Sequence, residues 1–396
     1  MTAPHTDRDS IVIISGRPAF ASFGSMSADL DAALQEKGHQ TSVVWLDPET
    51  FDGDAFLKRM NTWDAERPKA IIGWNAKVNL RPNNQSINDL LSIPLINILV
   101  DHPSDHAAGL GKLPENSLTT YLDRRHRTYL EIMHPTVKTA FLPHGGPPPV
   151  SAPVPMKDRE IDLLVVGRIH ATPDIADCIG SIFGLPKEPE IERRASDMLD
   201  RCIDGLQDPF QAARDVLAAC PFVDSTATAH AAAEALSKPL SLATNNEYRR
   251  RFFAALGNTK VTVIGQIADG ETLPDVANAS FVGPKSFSEV LGMLASVRVL
   301  ANITPIFANG AHERVFYGMA AGCLLASTPS DYLTERYRDG ESLLYFEAGD
   351  GSLEDKLKAA LSDPQKADEM VAHAREIYAR SDTWSQRVET LATVFE

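Results

Sequence analysis

The stretch NITPIFANGAHERVFYGMAAGCLLAS, residues 302–327, decides the fold prediction because it contains a loop, a helix start and a return to a buried strand. The apolar run VRVLANI that leads into it, residues 297–303, predicts a strand. A helix should begin near His312, since apolar residues recur after it at helical spacing. Small residues end this helix and allow close packing before LLAS begins the next strand. Together these features predict an α/β unit whose loop lies at the carboxyl end of a strand.

The predicted helix start is a potential anion site. Free backbone N–H groups and the helix macrodipole attract a diphosphate to such a position. Open α/β sheets also bind ligands at the carboxyl edge of their strands. The alternative is an ordinary strand, loop and helix of the core, because a fold does not by itself imply a function. Both interpretations stay open at this point.

Length and composition indicate a large globular protein. Its 396 residues, 43% of them hydrophobic, can bury an extensive core and should divide into two domains. The formal net charge is −15: residues 1–150 hold 14 basic and 17 acidic residues, giving −3, and the remainder holds 24 and 36, giving −12. No nucleic-acid partner is expected, because clustered Lys and Arg are needed to neutralise phosphates. An anionic ligand of the second half must be bound locally by a few basic residues and backbone amides.

Neither export nor membrane insertion is predicted. The amino-terminal MTAPHTDRDS is polar and acidic, and no stretch approaches the roughly 18 apolar residues of a membrane span. The four cysteines show no paired metal-ligand spacing and are too few for a secreted disulfide framework. We therefore expect a cytoplasmic protein without integral membrane association.

The chain is predicted to divide near residue 150. Apolar strands alternate with helical segments throughout residues 1–150, which predicts a Rossmann-like domain with a parallel, helix-covered sheet. The proline-rich segment that follows suits neither a helix nor a central strand, and residues 151–159 are the predicted linker. A second Rossmann-like domain is predicted over 160–375, with a helical insertion at about 191–255. The final segment, 376–396, is predicted to be a C-terminal helix that could pack back on the N-terminal domain.

The second half resembles a known enzyme family. GAHERVFYGMAAGCLLAS (310–327), followed by DYLTERYRDGESLLYFEAGD (331–350) and a helical tail with SDPQKADEMVAHARE (362–376), is similar to the C-terminal domain of group 1 glycosyltransferases, especially their CgeB-like branch. Upstream, LLVVGRI (163–169) is similar to the strand and Gly-Arg pair that begin the nucleotide-binding domain of these enzymes. The resemblance covers roughly residues 160–390, whereas the first 150 residues match in architecture alone.

The resemblance implies a GT-B fold, in which two Rossmann-like domains face an interdomain cleft. It also implies a nucleotide-sugar on the C-terminal domain and an acceptor mainly on the N-terminal one, usually without a metal. The departing diphosphate gains negative charge, which cations and a helix N-terminus must stabilise. The donor-site candidates are Gly167, Arg168, Lys285, Asn309, Gly310, Ala311, His312, Glu313 and Arg314. For Lys285 and Arg314 the alternative is a structural ion pair or a solvated side chain.

The sequence departs from the family pattern at the donor site. Many group 1 enzymes carry two glutamates eight positions apart, one touching the donor sugar and the other the ribose. Alignment of MAAG places Asn309 and Tyr317 at these positions, so Asn309 could bind a sugar hydroxyl and Tyr317 a ribose. Glu313 lies midway and is a catalytic candidate, the alternative being an ordinary first-turn acid. The departure also keeps open a weak or inactive enzyme.

In the N-terminal half, VDHPSDH (100–106) places acids and histidines just after a buried strand, where cleft residues are expected. Asp101 or His102 could deprotonate an acceptor hydroxyl, and the resemblance implies that a His in this region could contact the donor sugar. The alternative is a polar turn with a capping Asp. A metal site is less favoured, because Pro103 disrupts the helical spacing between His102 and His106, and no metal is predicted.

Three further residues are candidates for the acceptor side. Gly16 and Arg17 lie in SGRPAFASFG, which could form an acceptor loop although it lacks the GxGxxG and P-loop spacings. His144, in LPHGG, lies at the predicted hinge and could line the cleft. The alternative for His144 is an exposed loop residue without a role.

These features predict a metal-independent glycosyltransferase without a cofactor. It would move a sugar from a UDP-, GDP- or TDP-sugar to an unknown protein, glycan or small-molecule acceptor. A nucleotide-sugar epimerase or phosphorylase on the same fold would differ by forming product without an added acceptor. A non-catalytic binding or scaffolding protein would account for the missing glutamate pair and would bind nucleotide weakly or not at all.

Overall fold

The structure, a computed structural model, describes residues 9–16, 22–46, 52–77, 86–273, 278–347, 349 and 351–394, except for the side chains of 87 and 88. The acceptor-loop candidate Arg17 lies outside these residues. The chain forms two compact units. The first runs to Pro148 and also includes 286–288 and the segment from Arg380 onward, while the second comprises Pro149–Lys285 and Glu289–Ala379.

The first unit is built on a parallel sheet with the strand order β2-β1-β3-β4-β5-β6. The strand order reverses between β1 and β3, which makes this the topological switch point where open α/β sheets bind ligands. The strands are β1 (Ile11–Gly16), β2 (Thr41–Leu46), β3 (Ala70–Trp74), β4 (Leu95–Ile98), β5 (Ser117–Tyr121) and β6 (Lys138–Phe141). The helices between them are α1 (Phe23–Glu36), α2 (Gly53–Thr62), α3 (Ile87–Leu91), α4 (Ala107–Leu110) and α5 (His126–Met133).

The second unit is built on another parallel sheet, with the order β12-β11-β10-β7-β8-β9. This is the order of dinucleotide-binding sheets, and its switch point lies between β7 and β10. The strands are β7 (Ile161–Val166), β8 (Val261–Ile264), β9 (Ala279–Phe281), β10 (Val297–Asn302), β11 (Leu324–Ser327) and β12 (Leu344–Tyr345). The helices from here onward are α6 (Ile175–Phe183), α7 (Pro189–Ile203), α8 (Pro209–Leu217), α9 (Thr226–Ala254), α10 (Phe287–Met293), α11 (Glu313–Ala320), α12 (Asp331–Thr334), α13 (Leu353–Ser362), α14 (Pro364–Ser381) and α15 (Trp384–Ala392).

The two parallel sheets with their helices confirm the prediction of two Rossmann-like domains. The apolar runs of β1, β3 and β4 are buried, as expected of strands covered on both faces. Strand β5, SLTTY, is not marked by an apolar run. Its Thr119 and Thr120 are nevertheless fully buried, and Thr119 Oγ1 accepts a hydrogen bond from Asn97 Nδ2 of β4 at 3.3 Å. The neighbouring strand thus satisfies the Thr119 hydroxyl, whereas the Thr120 hydroxyl has no hydrogen-bond partner among the described residues.

Helix α9 joins the helical region to the sheet of the second unit. The Ser225 hydroxyl caps it by accepting a hydrogen bond from the Thr228 N–H, and Pro239 lies inside it. It packs along α8, where the ring centroids of its His230 and of Phe210 are 6.4 Å apart. Its last turns bury Tyr248, Phe252 and Phe253 in the core formed with β7, β8 and β10. The end of α9 is therefore fixed on the sheet by aromatic packing.

The predicted linker residues are fixed on the second unit. The Val150 N–H donates to the Ala320 carbonyl oxygen at 3.0 Å, and the N–H of buried Met156 donates to Asp368 Oδ1 at 3.0 Å. The Arg159 side chain is 2% exposed. Its guanidinium donates to the carbonyl oxygens of Val154 (2.8 Å), Leu294 (3.2 Å), Val297 (2.6 Å) and Ala321 (3.1 Å).

The C-terminal segment belongs to the first unit, where α15 packs against α1. Asp382 is fully buried and accepts a hydrogen bond from Arg387 Nη2 at 2.7 Å. Arg387 Nε also donates to the His144 carbonyl oxygen at 3.0 Å. A Cβ atom added at Gly145 would lie 2.8 Å from the Trp384 ring. Residues 144–146 and the start of α15 therefore pack without space between them.

Candidate functional site

The carboxyl edge of the second sheet brings the loop after β7 close to the loop after β8. Gly265 has φ of +154°, and a Cβ atom there would lie 1.7 Å from the Gly167 carbonyl oxygen. Only glycine at position 265 allows the two loops to approach this closely. Gly167 and Arg168, both predicted donor-site residues, lie on the loop that is positioned in this way.

Helix α9 holds the same loop with two side chains on one face. The buried Asn246 side chain accepts a hydrogen bond from the His170 N–H at 3.2 Å and donates to the His170 carbonyl oxygen at 2.7 Å. One turn later, Arg249 donates to the Arg168 carbonyl oxygen. Residues 246 and 249 reach the same loop because they are three positions apart on a helix. The aromatic packing of α9 thus fixes the backbone of residues 168–170.

Arg249 and Arg314 form a pair of half-buried cations at this edge. Burial lowers the pKa of Arg249 to about 10, and the positive charge of Arg314 adds to this effect. Burial also lowers the pKa of Arg314, which the neighbouring Glu313 carboxylate partly offsets. Neither guanidinium forms a salt bridge with a carboxylate within the described ranges. An anion bound beside both groups would restore their pKa values and relieve their repulsion.

Arg168 and His170 extend this positive region. Arg168 is exposed, and its guanidinium forms no ion pair with the residues that the structure describes. Burial lowers the pKa of His170, and the charges of Arg249, Arg168 and Lys238 lower it further. His170 therefore carries less charge near neutral pH than an ordinary histidine. A nearby anion would shift its pKa upward.

Helix α11 begins at the predicted place, with His312 as its N-cap residue. His312 Nδ1 accepts a hydrogen bond from the Arg314 N–H at 3.4 Å and lies 2.8 Å from Glu313 Oε2. The backbone before it is buried at Gly310 and Ala311. Glu313 is 14% exposed, and its catalytic role stays a prediction.

Three other predicted donor ligands have their own partners or are buried. Lys285 lies 3.6 Å from Glu289 one turn later, which fits the alternative of a surface ion pair. Asn309 Nδ2 donates to Asp331 Oδ2 at 2.9 Å. Tyr317 is 4% exposed. Their roles in donor binding stay predictions.

A small, mostly apolar pocket lies beside Arg249 at the carboxyl ends of β8 and β9. Its aromatic wall includes Phe281, which is 51% exposed at the end of the edge strand. The other lining residues are Val165, Gly167, Ile169, Phe253, Val263, Gly265, Gln266, Ile267 and Leu273. The pocket therefore places an apolar surface beside one cation at the edge of the sheet.

The carboxyl edge of the first sheet carries a second polar cluster. Asn75 and Ala76 follow β3 with positive φ of 53° and 55°, and strained backbone of this kind is common at functional sites. Asn75 Oδ1 accepts from the Val100 N–H at 2.9 Å, and its Nδ2 donates to Asp101 Oδ2 at 2.9 Å. His106 Nε2 lies 3.3 Å from the same carboxylate oxygen. These contacts fix Asp101 beside the switch point of this sheet with its side chain 52% exposed.

The predicted catalytic His102 is buried and belongs to the same edge. Its Nδ1 accepts a hydrogen bond from the Ser104 N–H at 3.1 Å and lies 2.7 Å from the Ser104 hydroxyl. Its ring centroid is 4.6 Å from that of His126 and 5.6 Å from that of Tyr129. Because Nδ1 is used as an acceptor, any proton transfer by His102 would have to use Nε2.

The acceptor-side candidates differ in their surroundings. Gly16 ends β1 at the switch point of the first sheet. His144 is 3% exposed, and its backbone is bound to Arg387. The alternative of an exposed loop histidine is therefore wrong for His144, because the C-terminal segment covers it. Its role, like that of Gly16, stays a prediction.

The sequence patterns do not single out Arg249 or Asn246. The signal for Arg249 was present in YRRRFF, because a helix that buries Tyr248 and Phe252 must direct one arginine of the run toward the sheet. Arg250 and Arg251 of the same run are paired with carboxylates. Which of the three arginines points toward the sheet depends on how α9 is rotated about its axis, and the sequence does not show this.

Comparisons with known proteins agree with this geometry. Residues 248–393 match a family model described as glycosyl transferase-like. A sucrose-phosphate synthase from Thermosynechococcus elongatus has a similar structure, with 11% identity, 98% of each chain covered and a TM-score of 0.50. An α-glucosyltransferase in complex with UDP and a 13-mer DNA is also similar, with 10% identity, 97% of this chain and 98% of that chain covered and a TM-score of 0.54. No curated protein matches the sequence.

The family-model match confirms the predicted resemblance to glycosyltransferases over residues 248–393, and the structural likeness confirms the GT-B fold. The narrower assignment to the CgeB-like branch stays a prediction. Among the helices of the described residues, none combines the length and the apolar character that a membrane span requires.

Proposed function

We propose that the chain is a glycosyltransferase that binds the diphosphate of a nucleotide-sugar beside Arg249 and Arg314. The observation that carries this proposal is the pair of desolvated guanidinium groups at the switch point of the second sheet. Two cations in mutual repulsion favour an anion that interacts with both. The glycosyltransferase-like family model makes a nucleoside diphosphate the anion that fits best.

The proposed donor lies across the carboxyl edge of the sheet. Its base lies against the mouth of the apolar pocket and the exposed Phe281 ring, at β8 and β9. Its diphosphate interacts with Arg249, Arg314 and the exposed Arg168, at β7 and β10, and with backbone N–H groups at the start of α11. This order follows the strand order of the sheet, so an extended ligand meets an apolar surface first and a cationic surface next.

The proposed reaction exchanges one bond at the anomeric carbon. The acceptor hydroxyl oxygen bonds to this carbon while the bond to the β-phosphate oxygen breaks, and that electron pair stays on the diphosphate. The guanidinium groups stabilise the charge that develops there, so we propose that transfer needs no divalent metal. Asp101, His102 and Glu313 are the candidates to receive the hydroxyl proton. The net charge of −15 argues against a nucleic-acid acceptor.

Calorimetric titration with UDP tests the proposal, with GDP and TDP as further probes. UDP comes first because the α-glucosyltransferase of similar fold is described in complex with UDP. We expect Arg249→Met to weaken nucleotide binding about 10- to 100-fold, as loss of one or two hydrogen bonds to a charged group implies. The melting temperature should change little, because loss of the hydrogen bond to the Arg168 carbonyl oxygen is offset by removal of a desolvated cation that repels Arg314.

Arg251→Met is the matched control. Arg251 lies two residues away on the same helix and is paired with Glu247 at 2.8 Å. Its loss should leave nucleotide affinity unchanged and cost less than about 1 kcal/mol of stability. The proposal is wrong if none of the three nucleotides binds the unmodified protein, or if both arginine variants bind equally well. Titration in the presence of EDTA should give the same affinity.

A further inference from the structure

The geometry points to Asp331 as a ligand of the transferred sugar: we propose that its carboxylate accepts hydrogen bonds from sugar hydroxyl groups. Asp331 begins α12, just after β11, and lies outside the residues that the sequence assigns to the donor site. This inference rests on the proposed function and names the group that recognises the sugar portion of the donor.

Three hydrogen bonds attach the start of α12 to the loop that precedes α11. The Asp331 N–H donates to the Ala308 carbonyl oxygen at 2.8 Å, and Asn309 Nδ2 donates to Asp331 Oδ2 at 2.9 Å. The buried Ser330 hydroxyl donates to the Gly310 carbonyl oxygen at 2.7 Å. The carboxylate of Asp331 is therefore fixed beside the loop that leads directly to Arg314.

The strand order gives Asp331 a defined place relative to the proposed donor. The base pocket lies at β8, the diphosphate site at β7 and β10, and Asp331 follows β11. From β8 to β11 there are three strand spacings, about 14 Å in total. An extended nucleotide-sugar covers such a span with its base at one end and its sugar at the other. Asp331 lies at the sugar end.

Local structure uses one of the two oxygens of this carboxylate. Ser330 already caps α12 through its hydroxyl, and α12 is too short for a first-turn acid to contribute much through the helix dipole. Asp331 is exposed, and its Oδ1 accepts no hydrogen bond from the part of the chain that the structure covers. Carboxylate oxygens form strong hydrogen bonds with hydroxyl groups, and the amide of Asn309 orients this one.

The test compares the affinity of the protein for UDP with its affinity for UDP-glucose, and for GDP with GDP-mannose, by calorimetry. Asp331→Asn keeps the size of the side chain and the backbone bond to Ala308 but removes the charge. We expect it to weaken binding of the nucleotide-sugar about 10-fold while the affinity for the free diphosphate stays the same. Asn309→Ala should also weaken binding of the nucleotide-sugar relative to the free diphosphate, by a smaller factor than Asp331→Asn, since it removes the amide that orients the carboxylate.

Glu335→Gln is the matched control, because Glu335 is an exposed acid at the other end of α12 and is paired with Arg336 at 3.3 Å. It should change neither affinity. If the role of Asp331 is purely structural, Asp331→Asn should weaken the binding of the free diphosphate and of the nucleotide-sugar equally. If it has no role, the binding of both should be unchanged. Either result overturns the inference while the proposed function stands. If neither diphosphate binds the unmodified protein, the proposed function fails and the inference fails with it.

Discussion

Replacement of Arg159 by methionine should destabilise the second unit substantially. The guanidinium is buried and bonded to four backbone carbonyl groups from three parts of the chain: the segment before β7, the residues around the start of β10 and the end of α11. Methionine keeps most of the aliphatic stem and removes every donor. The packing of the stem is preserved, so the loss should reflect the hydrogen bonds.

The magnitude follows from the carbonyl groups that lose their donor. The Leu294 carbonyl oxygen keeps other partners, because it also accepts from the Val297 N–H and from the Cys323 thiol at 3.3 Å. Three carbonyl groups then lose a bond, and at about 1 kcal/mol for each the free energy of unfolding should fall by about 3 kcal/mol. Arg159→Lys keeps the charge but reaches fewer carbonyl groups at once, so we expect about half of this loss.

Urea unfolding followed by far-ultraviolet circular dichroism measures this change. The four tryptophans, Trp45, Trp63, Trp74 and Trp384, belong to the first unit. Tryptophan fluorescence therefore reports on the first unit, while circular dichroism also reports on the helices of the second. The dichroism transition should move to lower urea concentration in Arg159→Met.

Arg193→Met is the control for loss of an arginine from the same unit. Arg193 is 57% exposed and is paired with Glu190 on α7, so its loss should cost less than about 1 kcal/mol. The reasoning would be refuted if Arg159→Met lost no more stability than Arg193→Met. It would also be refuted if Arg159→Lys matched the unmodified protein, because the forked geometry would then be irrelevant.

Three other variants test separate features. Gly265→Ala should displace the loop after β7 and abolish UDP binding in calorimetry, because its Cβ would overlap the Gly167 carbonyl oxygen. Gly24→Ala is the control: it has open space around its Cβ, so it should leave the stability of the protein unchanged or raise it slightly. Asp382→Asn leaves the buried Arg387 cation without its carboxylate, so the free energy of unfolding measured in urea should fall by about 3 kcal/mol or more. A fall of less than about 1 kcal/mol would contradict this prediction. The pKa of His170 is lowered in the free protein, and a bound diphosphate should raise it. The affinity for UDP should therefore increase as the pH falls below 7, with uptake of protons that calorimetry in two buffers measures. His170→Asn should reduce this proton uptake.

Much of the fold could be predicted because parallel strands buried on both faces are continuous apolar runs. β1, β3, β4 and β10 are of this kind. β5 is different, since both of its central threonines are buried and the side chain of Asn97 in the neighbouring strand bonds to one of them. Pairing of that kind depends on which strands become neighbours, and local sequence patterns do not contain this information.

The candidate site could be predicted in part for the same reason. The start of α11 and the Gly-Arg pair after β7 follow apolar strands directly, so their place at the carboxyl edge follows from local sequence. Arg249 and Asp331 reach the same edge from a distant helix and from a different strand. Their contributions depend on how α9 packs and on the order of strands in the sheet, which are tertiary properties.

The proline inside α9 has a consequence for the engineering of this chain. Pro239 cannot donate a hydrogen bond to the carbonyl group four residues earlier, so the helix has a natural junction near its middle. The part after the junction carries Asn246 and Arg249 and is anchored by Phe252. The part before it carries His230, whose ring centroid lies 6.4 Å from that of Phe210 on α8. The part after the junction is also bonded to α7, since the Tyr248 hydroxyl donates to the Ile203 carbonyl oxygen at 2.9 Å. A designed chimera that exchanges the helical region should therefore keep the end of α7 with this part of α9, so that the arginine at the sheet edge keeps its place.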